Sequence, residues 1–388
     1  MIYWDNAATT WPKPPNVRAS IGQALHKFGA NPGRAGHKMA LDTAEMVYNC
    51  RQDIADFFGL SDPSGVVFTS NCTMSINMVI QSVVGNSGRV LTSDLEHNAV
   101  VRPLAALSGD VDRYDVAAWS PNADQTVENF RRAIRPDTKL ILCTHASNVF
   151  GSVFPIRRLA HLAHRYGLLF CVDAAQTAGV LPINMEADDL DFLCVAPHKG
   201  LYAPVGTGLL LCRNTDAITP LIRGGTGSYS LLREQPHELP DRLESGTLNM
   251  MGIWGVGEGL RFVKNKGLNE IYEHEIRCLQ HLHKRLSECP YFKLYTPYPR
   301  TGITSPVLSV NIGNLPSEEV ASQLNEKGIA VRAGLHCAPW AHQRFGTIEQ
   351  GTVRLSPGAF STLGEAEQIT KVFLQIAEKS LHRKNYML

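Results

Sequence analysis

A lysine that directly follows an apolar run is the first residue whose position suggests chemistry. Lys199 stands in the stretch CVAPHKGLYAPVGTGLLLC (194–212), between a strand-like run and a glycine. An isolated lysine at a strand end is most often a solvated surface residue. A primary amine at such a position can instead form a Schiff base with the aldehyde of a cofactor. The other polar residues of the chain decide between these interpretations.

Several further polar residues follow strand-like apolar runs in the same way. They are Cys72 and Thr73 after GVVFTS, His97 after RVLTSD, Asn148 after KLILCTHA, and Asp173 with Gln176 after LLFCV. In a doubly wound sheet, ligands bind outside the carboxyl ends of the strands. Each of these residues taken alone is more simply a helix cap or a satisfied edge residue. Their convergence on one rim with Lys199 favours a shared binding site.

The combined side chains have the chemistry that pyridoxal phosphate requires. This cofactor needs a lysine for its Schiff base, an acid at the ring nitrogen and a cradle for its phosphate. Asp173 can pair with the pyridinium nitrogen, and His97 can stack on the ring. Asn148 and Gln176 can hydrogen-bond the ring oxygen. The polar turn that opens a helix at Thr73 offers backbone N–H groups and a favourable dipole to a phosphate.

The elements that must position these residues are short apolar runs that alternate with amphipathic segments. Buried strands are predicted at 65–70, 89–94, 139–146, 168–175, 191–196 and 207–212. Continuous apolar strands with intervening helices predict a mostly parallel sheet that is covered on both faces. The tight Gly/Pro-rich link before the last strand allows one of the final two strands to run antiparallel. After about residue 256 the pattern changes to that of an α+β lobe, with a long charged helix first and another helix near 363–383.

The composition is that of a globular chain without a global electric field. Hydrophobic residues make up 44% and charged residues 19%, and the net charge is +1. Nothing in this balance would recruit nucleic acid or an anionic membrane. The stretch MIYWDNAATT lacks the features of a signal peptide, and the apolar runs are too short to span a bilayer. The nine cysteines include no CxxC pair, so we predict no metal site, and their odd, unpatterned count points to a reducing compartment, by default the cytoplasm.

A series of short motifs resembles those of the cysteine desulfurases, in the family's order. They run from residue 3 to about 360 and read YWDNAATTWPKP, FTSNCTMSIN, SDLEHNAVVRP, THASNVFG, VDAAQTAG, PHKGLYAPVGTG, RLESGTLN and VRAGLHCA. That family belongs to the class V aminotransferase group of fold-type I pyridoxal phosphate enzymes. The resemblance implies an α/β fold with a mostly parallel, seven-stranded type of sheet between helices. It also implies a large cofactor domain (16–256), a small α+β domain (1–15 and 257–388) and a homodimer.

Further site residues take their roles from this resemblance. It implies cofactor contacts by Cys72 and His198, contacts to the partner subunit's cofactor phosphate near Gly225 and Thr247, and substrate contacts by Ala8, Asn148 and Arg354. Arginine suits a substrate carboxylate because its planar guanidinium can bind it in two bonds. Arg332 is expected to support a neighbouring loop.

Cys337 is the residue that distinguishes a desulfurase from the other enzymes of the family. It follows His336 in the polar loop of GIAVRAGLHCAPWAH, an environment suited to a reactive thiol. Taken alone, one more buried cysteine is the simpler interpretation. The pattern RxGxHCA, however, resembles the nucleophile loop of the group II desulfurases, a branch with selenocysteine lyase-like members. There the cysteine attacks the substrate sulfur and leaves alanine and an enzyme persulfide; His336 or substrate-bound groups are the candidates to activate it.

Two positions depart from the family pattern. Ala196 replaces the usual serine that contacts phosphate, and Asn71 stands where glycine is commoner. Asparagine is expected there to tolerate unusual backbone angles.

The sequence thus predicts a pyridoxal-phosphate-dependent desulfurase that acts on L-cysteine, with a possible protein as sulfur acceptor. The alternatives are a selenocysteine lyase acting on L-selenocysteine, or a class V aminotransferase or epimerase, which needs no loop cysteine. A cofactor-free scaffold is disfavoured because Lys199, Asp173, His97 and Arg354 are all present.

Overall fold

The computed structural model describes residues 1–32, 36–85, 87–109 and 112–385, with side chains up to residue 380. Its strands are β1 (Ile2–Tyr3), β2 (Val66–Thr69), β3 (Arg89–Ser93), β4 (Tyr114–Ala117), β5 (Thr138–Thr144), β6 (Leu169–Asp173), β7 (Phe192–Val195), β8 (Gly208–Cys212), β9 (Phe292–Leu294), β10 (Leu308–Ile312), β11 (Ile329–Ala330) and β12 (Val353–Leu355). Its helices are α1 (Pro15–Lys27), α2 (Lys38–Phe58), α3 (Cys72–Val84), α4 (Asn98–Leu107), α5 (Ala123–Ala133), α6 (Ile156–Arg165), α7 (Met250–Lys266), α8 (Leu268–Ser287), α9 (Ser317–Glu326), α10 (Pro339–Arg344) and α11 (Leu363–Asn385). No helix in these ranges is long and apolar enough to cross a membrane.

The chain divides into two compact units. The large unit consists of Lys13–His145 and Phe154–Lys266, and the small unit of Met1–Pro12, Ala146–Val153 and the chain from Gly267 onwards. The segment 146–153, which carries Asn148, therefore belongs to the small unit although it lies within the range 16–256 in sequence. Its backbone is tied there, because Ser305 N donates to Gly151 O at 2.9 Å and Ser309 Oγ donates to Val149 O at 2.6 Å.

The large unit contains a seven-stranded sheet in the order β2-β8-β7-β6-β5-β3-β4. β8 runs antiparallel to its neighbours β2 and β7, and the remaining neighbours pair in parallel. The predicted mostly parallel α/β fold with one reversed strand is confirmed. β4 was absent from the predicted strands, because this edge strand reads YDVA and is only partly buried, so it lacks a continuous apolar run.

Burial on both faces explains why most of these strands are recognisable in the sequence. On one face, Ile76 and Ile80 of α3 share a core cluster with Leu140 and Leu142 of β5. Ile141 points to the opposite face and is also fully buried, where α6 packs against β5 and β6. Full burial of one such side chain stabilises the fold by roughly 1.5–3 kcal/mol. A strand covered on both sides therefore carries apolar residues at consecutive positions.

The small unit is an α+β structure built around two small sheets. One sheet has the antiparallel order β12-β10-β9, and in the other β1 pairs in parallel with β11. α8 packs against α11 and buries Ile271, Cys278, Leu282 and Leu286 along one side, at the spacing of an amphipathic helix. The pairing of β1 with β11 is what places the N-terminal segment in this unit.

Candidate functional site

Asp173 and Lys199 lie at the ends of neighbouring strands in the large unit. Asp173 ends β6 and is buried, and its Oδ1 accepts hydrogen bonds from Ala175 N at 2.9 Å and Cys72 Sγ at 3.7 Å. Lys199 lies in the turn after β7, where its N–H donates to Ala196 O at 3.1 Å. Burial, and then the charge of Asp173, raise the pKa of the Cys72 thiol well above its ordinary value, while Lys199 acts to lower it. The charges of this amine and this carboxylate therefore both act on the same buried thiol.

The start of α3 forms the turn predicted to hold a phosphate. Asn71 precedes the helix, and its side chain accepts a hydrogen bond from Met74 N at 2.9 Å, so it acts as a helix cap. Its φ of −172° is ordinary extended backbone, so this turn does not require a residue that tolerates unusual angles. Thr73 is exposed in the first turn of the helix. Gly208 on β8 allows the turn at Asn71 to lie close against this strand, because a Cβ at position 208 would lie 2.3 Å from the backbone of Asn71.

His97 caps α4 with its side chain. Its Nδ1 accepts a hydrogen bond from Ala99 N at 3.0 Å. A ring nitrogen that accepts a hydrogen bond carries no proton, so the N–H of His97 is at Nε2. The half-buried ring thus presents a defined proton position just beyond β3.

Glu96, next to His97, is a fully buried carboxyl group. Its Oε1 accepts hydrogen bonds from Ser93 Oγ and from Thr144 N, the latter at 2.9 Å, whereas Oε2 has no partner among the described residues. Burial raises the pKa of Glu96 to about 8, and the charge of Asp173 adds to the rise although both hydrogen bonds oppose it. Glu96 is therefore protonated at neutral pH, which sequence reasoning did not anticipate.

A second lysine reaches the turn that carries Lys199. Lys13 Nζ donates to His198 O at 2.8 Å, and burial lowers the pKa of Lys13 to about 8. Burial, followed by the charges of Lys199 and Lys13, lowers the pKa of His198 to about 4, so this ring is neutral at pH 7. Gln176 is half-buried in the turn after β6.

Gly225 and Thr247 lie on an exposed part of the large unit. Their segments are joined by a hydrogen bond from Gly246 N to Gly225 O at 2.8 Å. Large apolar side chains are exposed close to Gly225 in the sequence, and Leu231 among them is 99% exposed. The others are Ile222, Tyr229 and Leu232.

In the small unit, a buried arginine joins three separate segments of the chain. Arg354 on β12 is 1% exposed; its Nη2 donates to Asp5 Oδ1 at 2.6 Å and its Nη1 donates to Asn148 O at 3.0 Å. Its Nε has no hydrogen-bond partner among the described residues. Burial lowers the pKa of Arg354, and Asp5 opposes this change. Ala8 is held beside this pair, because its N–H donates to Asp5 O at 3.0 Å.

Cys337 lies on an exposed loop that is bonded to the same cluster. Its Sγ lies 3.6 Å from Nη2 of Arg332. Asn148 Nδ2 donates to His336 O at 2.8 Å, and Asn148 O binds Arg354. The small unit therefore brings the predicted substrate-binding residues and the thiol onto one hydrogen-bonded network.

His336 is not oriented to activate the thiol. The side chain is buried; its Nε2 lies 3.3 Å from Arg332 O, and its Nδ1 lies 3.3 Å from His342 Nε2. Burial, followed by the charge of Arg354, lowers the pKa of His336 to about 2. With both nitrogens engaged, this ring is unavailable as a base for Cys337, and Arg332 is the charged side chain that contacts the sulfur.

Sequence reasoning missed Asp5, Glu96, Lys13 and His342 as contributors to these clusters. Asp5 stands in the motif YWDNAATT, but no sequence signal paired it with Arg354, because the burial that makes this arginine require a carboxylate is set by the fold.

Comparison with known proteins agrees with the predicted resemblance. The profile of the family described as aminotransferase class-V matches residues 2–370. A probable cysteine desulfurase of Methanothermobacter thermautotrophicus is 32% identical over 97% of this chain and 94% of that protein. Another, of Synechocystis sp., is 29% identical over 98% of this chain and 91% of that protein. The solved apo structure of a cysteine desulfurase from Thermococcus onnurineus superposes with a TM-score of 0.89 at 28% identity, over 97% of this chain and 95% of that chain. The resemblance predicted from the motifs is confirmed.

Proposed function

The chain belongs to the class V aminotransferase family, and we propose that it is a pyridoxal-phosphate-dependent cysteine desulfurase. It would convert L-cysteine to L-alanine and take the sulfur onto Cys337 as a persulfide. One observation carries the proposal: an exposed thiol in contact with Arg332 lies on a loop that is bonded through Asn148 to the buried Arg354. A nucleophilic thiol and a group that binds a carboxylate are the parts that removal of sulfur from an amino acid requires. The names of the relatives support the same activity.

The donor set of the large unit fits the cofactor. The primary amine of Lys199 is suited to a covalent bond with the cofactor's aldehyde, and the buried Asp173 to holding a proton on the ring nitrogen. Thr73 and the N–H groups at the start of α3 would bind the phosphate, and Gln176 would bind the ring oxygen. His97 would pack against the ring with its proton at Nε2. When bound, pyridoxal phosphate supplies an electron sink that stabilises negative charge on the substrate carbon.

The step at sulfur balances without an oxidant or a reductant. The Cys337 thiolate attacks the substrate sulfur, so that an S–S bond forms while the substrate C–S bond breaks. The bonding pair stays on carbon, which takes a proton and becomes the methyl group of alanine. The enzyme is left with a persulfide that a thiol acceptor can remove. Arg332 Nη2, 3.6 Å from Sγ, can balance negative charge on the sulfur during the attack.

Alanine release from L-cysteine by the Cys337→Ser variant tests this function. We expect the variant to keep the absorption band of the bound cofactor, because Lys199 and Asp173 are unchanged. Its turnover should drop by about 10³-fold or more, as is usual when a catalytic nucleophile is lost. Cys289→Ser is the matched control, since Cys289 is a half-buried free thiol in the same unit.

Near-normal alanine production by Cys337→Ser would contradict the proposal and favour an aminotransferase or lyase reaction. L-Selenocysteine assayed in parallel addresses the remaining alternative. A variant that loses activity with L-cysteine but keeps it with L-selenocysteine would still need the thiol for sulfur, as proposed here.

We further infer a homodimer in which Gly225 and Thr247 reach the partner subunit's cofactor phosphate. The exposed apolar side chains near Gly225, Leu231 above all, support an interface on this part of the large unit. Leu231→Asp should shift the sedimentation coefficient towards that of a monomer and lower cofactor occupancy. A wild-type monomer with full cofactor occupancy would contradict the inference.

The cytoplasm is the location we propose. All nine cysteines are free thiols, and this pattern is typical of proteins in reducing compartments. Fluorescence microscopy of the tagged chain in its native cell would test this location.

A further inference from the structure

The backbone of the loop that carries Cys337 is strained at two consecutive residues. His336 and Cys337 have φ values of +51° and +55°. Residues with a Cβ rarely adopt this left-handed region, because the Cβ approaches the following carbonyl oxygen too closely. Such backbone persists only where the surrounding contacts determine it. The thiol therefore points where it does because other groups hold the loop.

Those groups form a chain of hydrogen bonds behind the loop. His336 Nε2 lies 3.3 Å from Arg332 O, and His336 Nδ1 lies 3.3 Å from His342 Nε2. His342 Nδ1 in turn lies 2.7 Å from Thr347 Oγ1. The two histidines and Thr347 are buried, and the two imidazole rings are nearly parallel, with an interplanar angle of 9°. Solvent cannot readily replace a lost partner in this position.

With both imidazole rings neutral, this series of hydrogen bonds has one consistent direction. Arg332 O can only accept, so His336 Nε2 carries the proton and His336 Nδ1 is an acceptor. His342 Nε2 must then be the donor, which leaves His342 Nδ1 to accept from the Thr347 hydroxyl. Both rings must be neutral for this order. In agreement, burial is the main reason that the pKa of His336 is lowered to about 2 and that of His342 to about 4.

We propose that His342 is a positioning residue for sulfur transfer: its Nε2–H fixes His336, and His336 fixes the loop that holds Cys337 against Arg332. This inference rests on the proposed function of Cys337. Phe150 packs against His342 with ring centroids 5.5 Å apart, so the ring of His342 is held from one side while its nitrogens bond along the chain. Arg354 is held by Asp5 Oδ1 and Asn148 O, and neither of these bonds involves His342.

Two amide substitutions distinguish the roles of the two ring nitrogens of His342. In His342→Gln the amide N–H occupies roughly the place of Nε2 and can still donate to His336. In His342→Asn the amide lies near the place of Nδ1, so it can bind Thr347 but cannot reach His336. Both variants remove the imidazole, but asparagine is one methylene group shorter than glutamine, so the nearly isosteric Thr347→Val variant is the control for a role in packing alone.

Two measurements are made on each variant, in a Cys289→Ser background that leaves Cys337 as the thiol open to solvent among the free cysteines. The first is the rate of alkylation of Cys337 by iodoacetamide in the apoprotein, which requires no turnover. The second is kcat and KM for alanine release from L-cysteine. We expect His342→Asn to lower the alkylation rate and kcat about tenfold, the effect expected when one buried hydrogen bond is lost and its partner left unsatisfied. KM should stay within about twofold, because Arg354 and Asn148 are unchanged, and His342→Gln should remain within about threefold of the parent in all three quantities.

Equal values for the Asn and Gln variants, whether both near the parent or both impaired, would overturn the proposal. If His342→Asn fails to fold, Thr347→Val and Thr347→Ser decide in the same assays. Valine removes the donor to His342 and should slow alkylation and kcat, while serine keeps the hydroxyl and should restore them. An alkylation rate unaffected by Thr347→Val would then overturn it. Failure of the proposed function would show separately, as alanine production that persists in Cys337→Ser.

Discussion

Replacement of Glu96 by glutamine tests the electrostatics of the large unit most directly. Glu96 lies next to His97, is fully buried and has one oxygen without a partner among the described residues. Its pKa rises from 4.5 to about 8, mainly because burial disfavours the charged form, with a further contribution from the charge of Asp173. Glutamine has nearly the same shape as the protonated acid but cannot ionise.

The expected effect follows from the difference in proton binding between the folded and unfolded chains. Between pH 4.5 and about 8 the folded protein keeps a proton on Glu96 that the unfolded chain releases. The free energy of unfolding should therefore fall as pH rises through this window, by about 1.4 kcal/mol per pH unit from this group. From pH 5 to pH 7 this amounts to roughly 3 kcal/mol, a slope that Glu96→Gln lacks.

The unmatched amide N–H of the variant costs about 1–3 kcal/mol, but that cost does not change with pH. The quantity to compare is therefore the difference in the free energy of unfolding between wild type and Glu96→Gln, followed as a function of pH. Urea unfolding followed by tryptophan fluorescence at pH 5, 6, 7 and 8 measures it. Ser93→Ala is the control, because it removes a hydrogen bond to Glu96 but leaves the carboxyl group, and it should keep the steep fall. Parallel curves for Glu96→Gln and wild type would refute the reasoning that Glu96 is held protonated.

Three further predictions concern single positions. Lys199→Ala should fold but lose the borohydride-reducible bond to pyridoxal phosphate, and reductive fixation of the cofactor at another lysine of this variant would show that Lys199 is misassigned. Arg354→Lys keeps the charge but loses the planar guanidinium that can donate two hydrogen bonds to one carboxylate. KM for L-cysteine should therefore rise at least about tenfold with a smaller change in kcat. An unchanged KM would show that Arg354 does not bind the substrate. His164 lies 2.8 Å from Asp191 and 2.6 Å from Asp189; burial lowers its pKa, but the two carboxylates outweigh burial and raise it above 6.5. The stabilisation from this cluster is present below pH 6.5 and is lost as pH rises through the folded pKa. His164→Gln should therefore flatten the decline of the melting temperature above pH 6.5, and an unchanged decline would contradict this role.

Most strands of the large sheet were predictable because the same pattern of burial on both faces recurs along the chain. Strands that are buried on both faces must be apolar at consecutive positions, and β5, β6 and β7 are. β4 escaped prediction because an edge strand needs no such run. The change of pattern after residue 256 likewise corresponds to α8 and the small sheets that follow it.

The candidate site was predictable to the extent that residue type and local position define chemistry. Polar residues after apolar strands identified Asp173 and Lys199, and an exposed loop could be expected for Cys337 because its neighbours are polar. The amino-acid sequence by itself therefore determined which functional groups the chain owns and which strand ends carry them.

Only the tertiary structure decided which group touches which. The partner of Arg354 is Asp5, 349 positions away. The sequence neighbour of Cys337, His336, turns into the interior while Arg332 contacts the sulfur. Glu96 differs from an ordinary glutamate only because the folded chain buries it and leaves one oxygen without a partner among the described residues. Burial and long-range contacts set ionisation and orientation, and both arise from segments that are distant in sequence, so local residue patterns could not specify them.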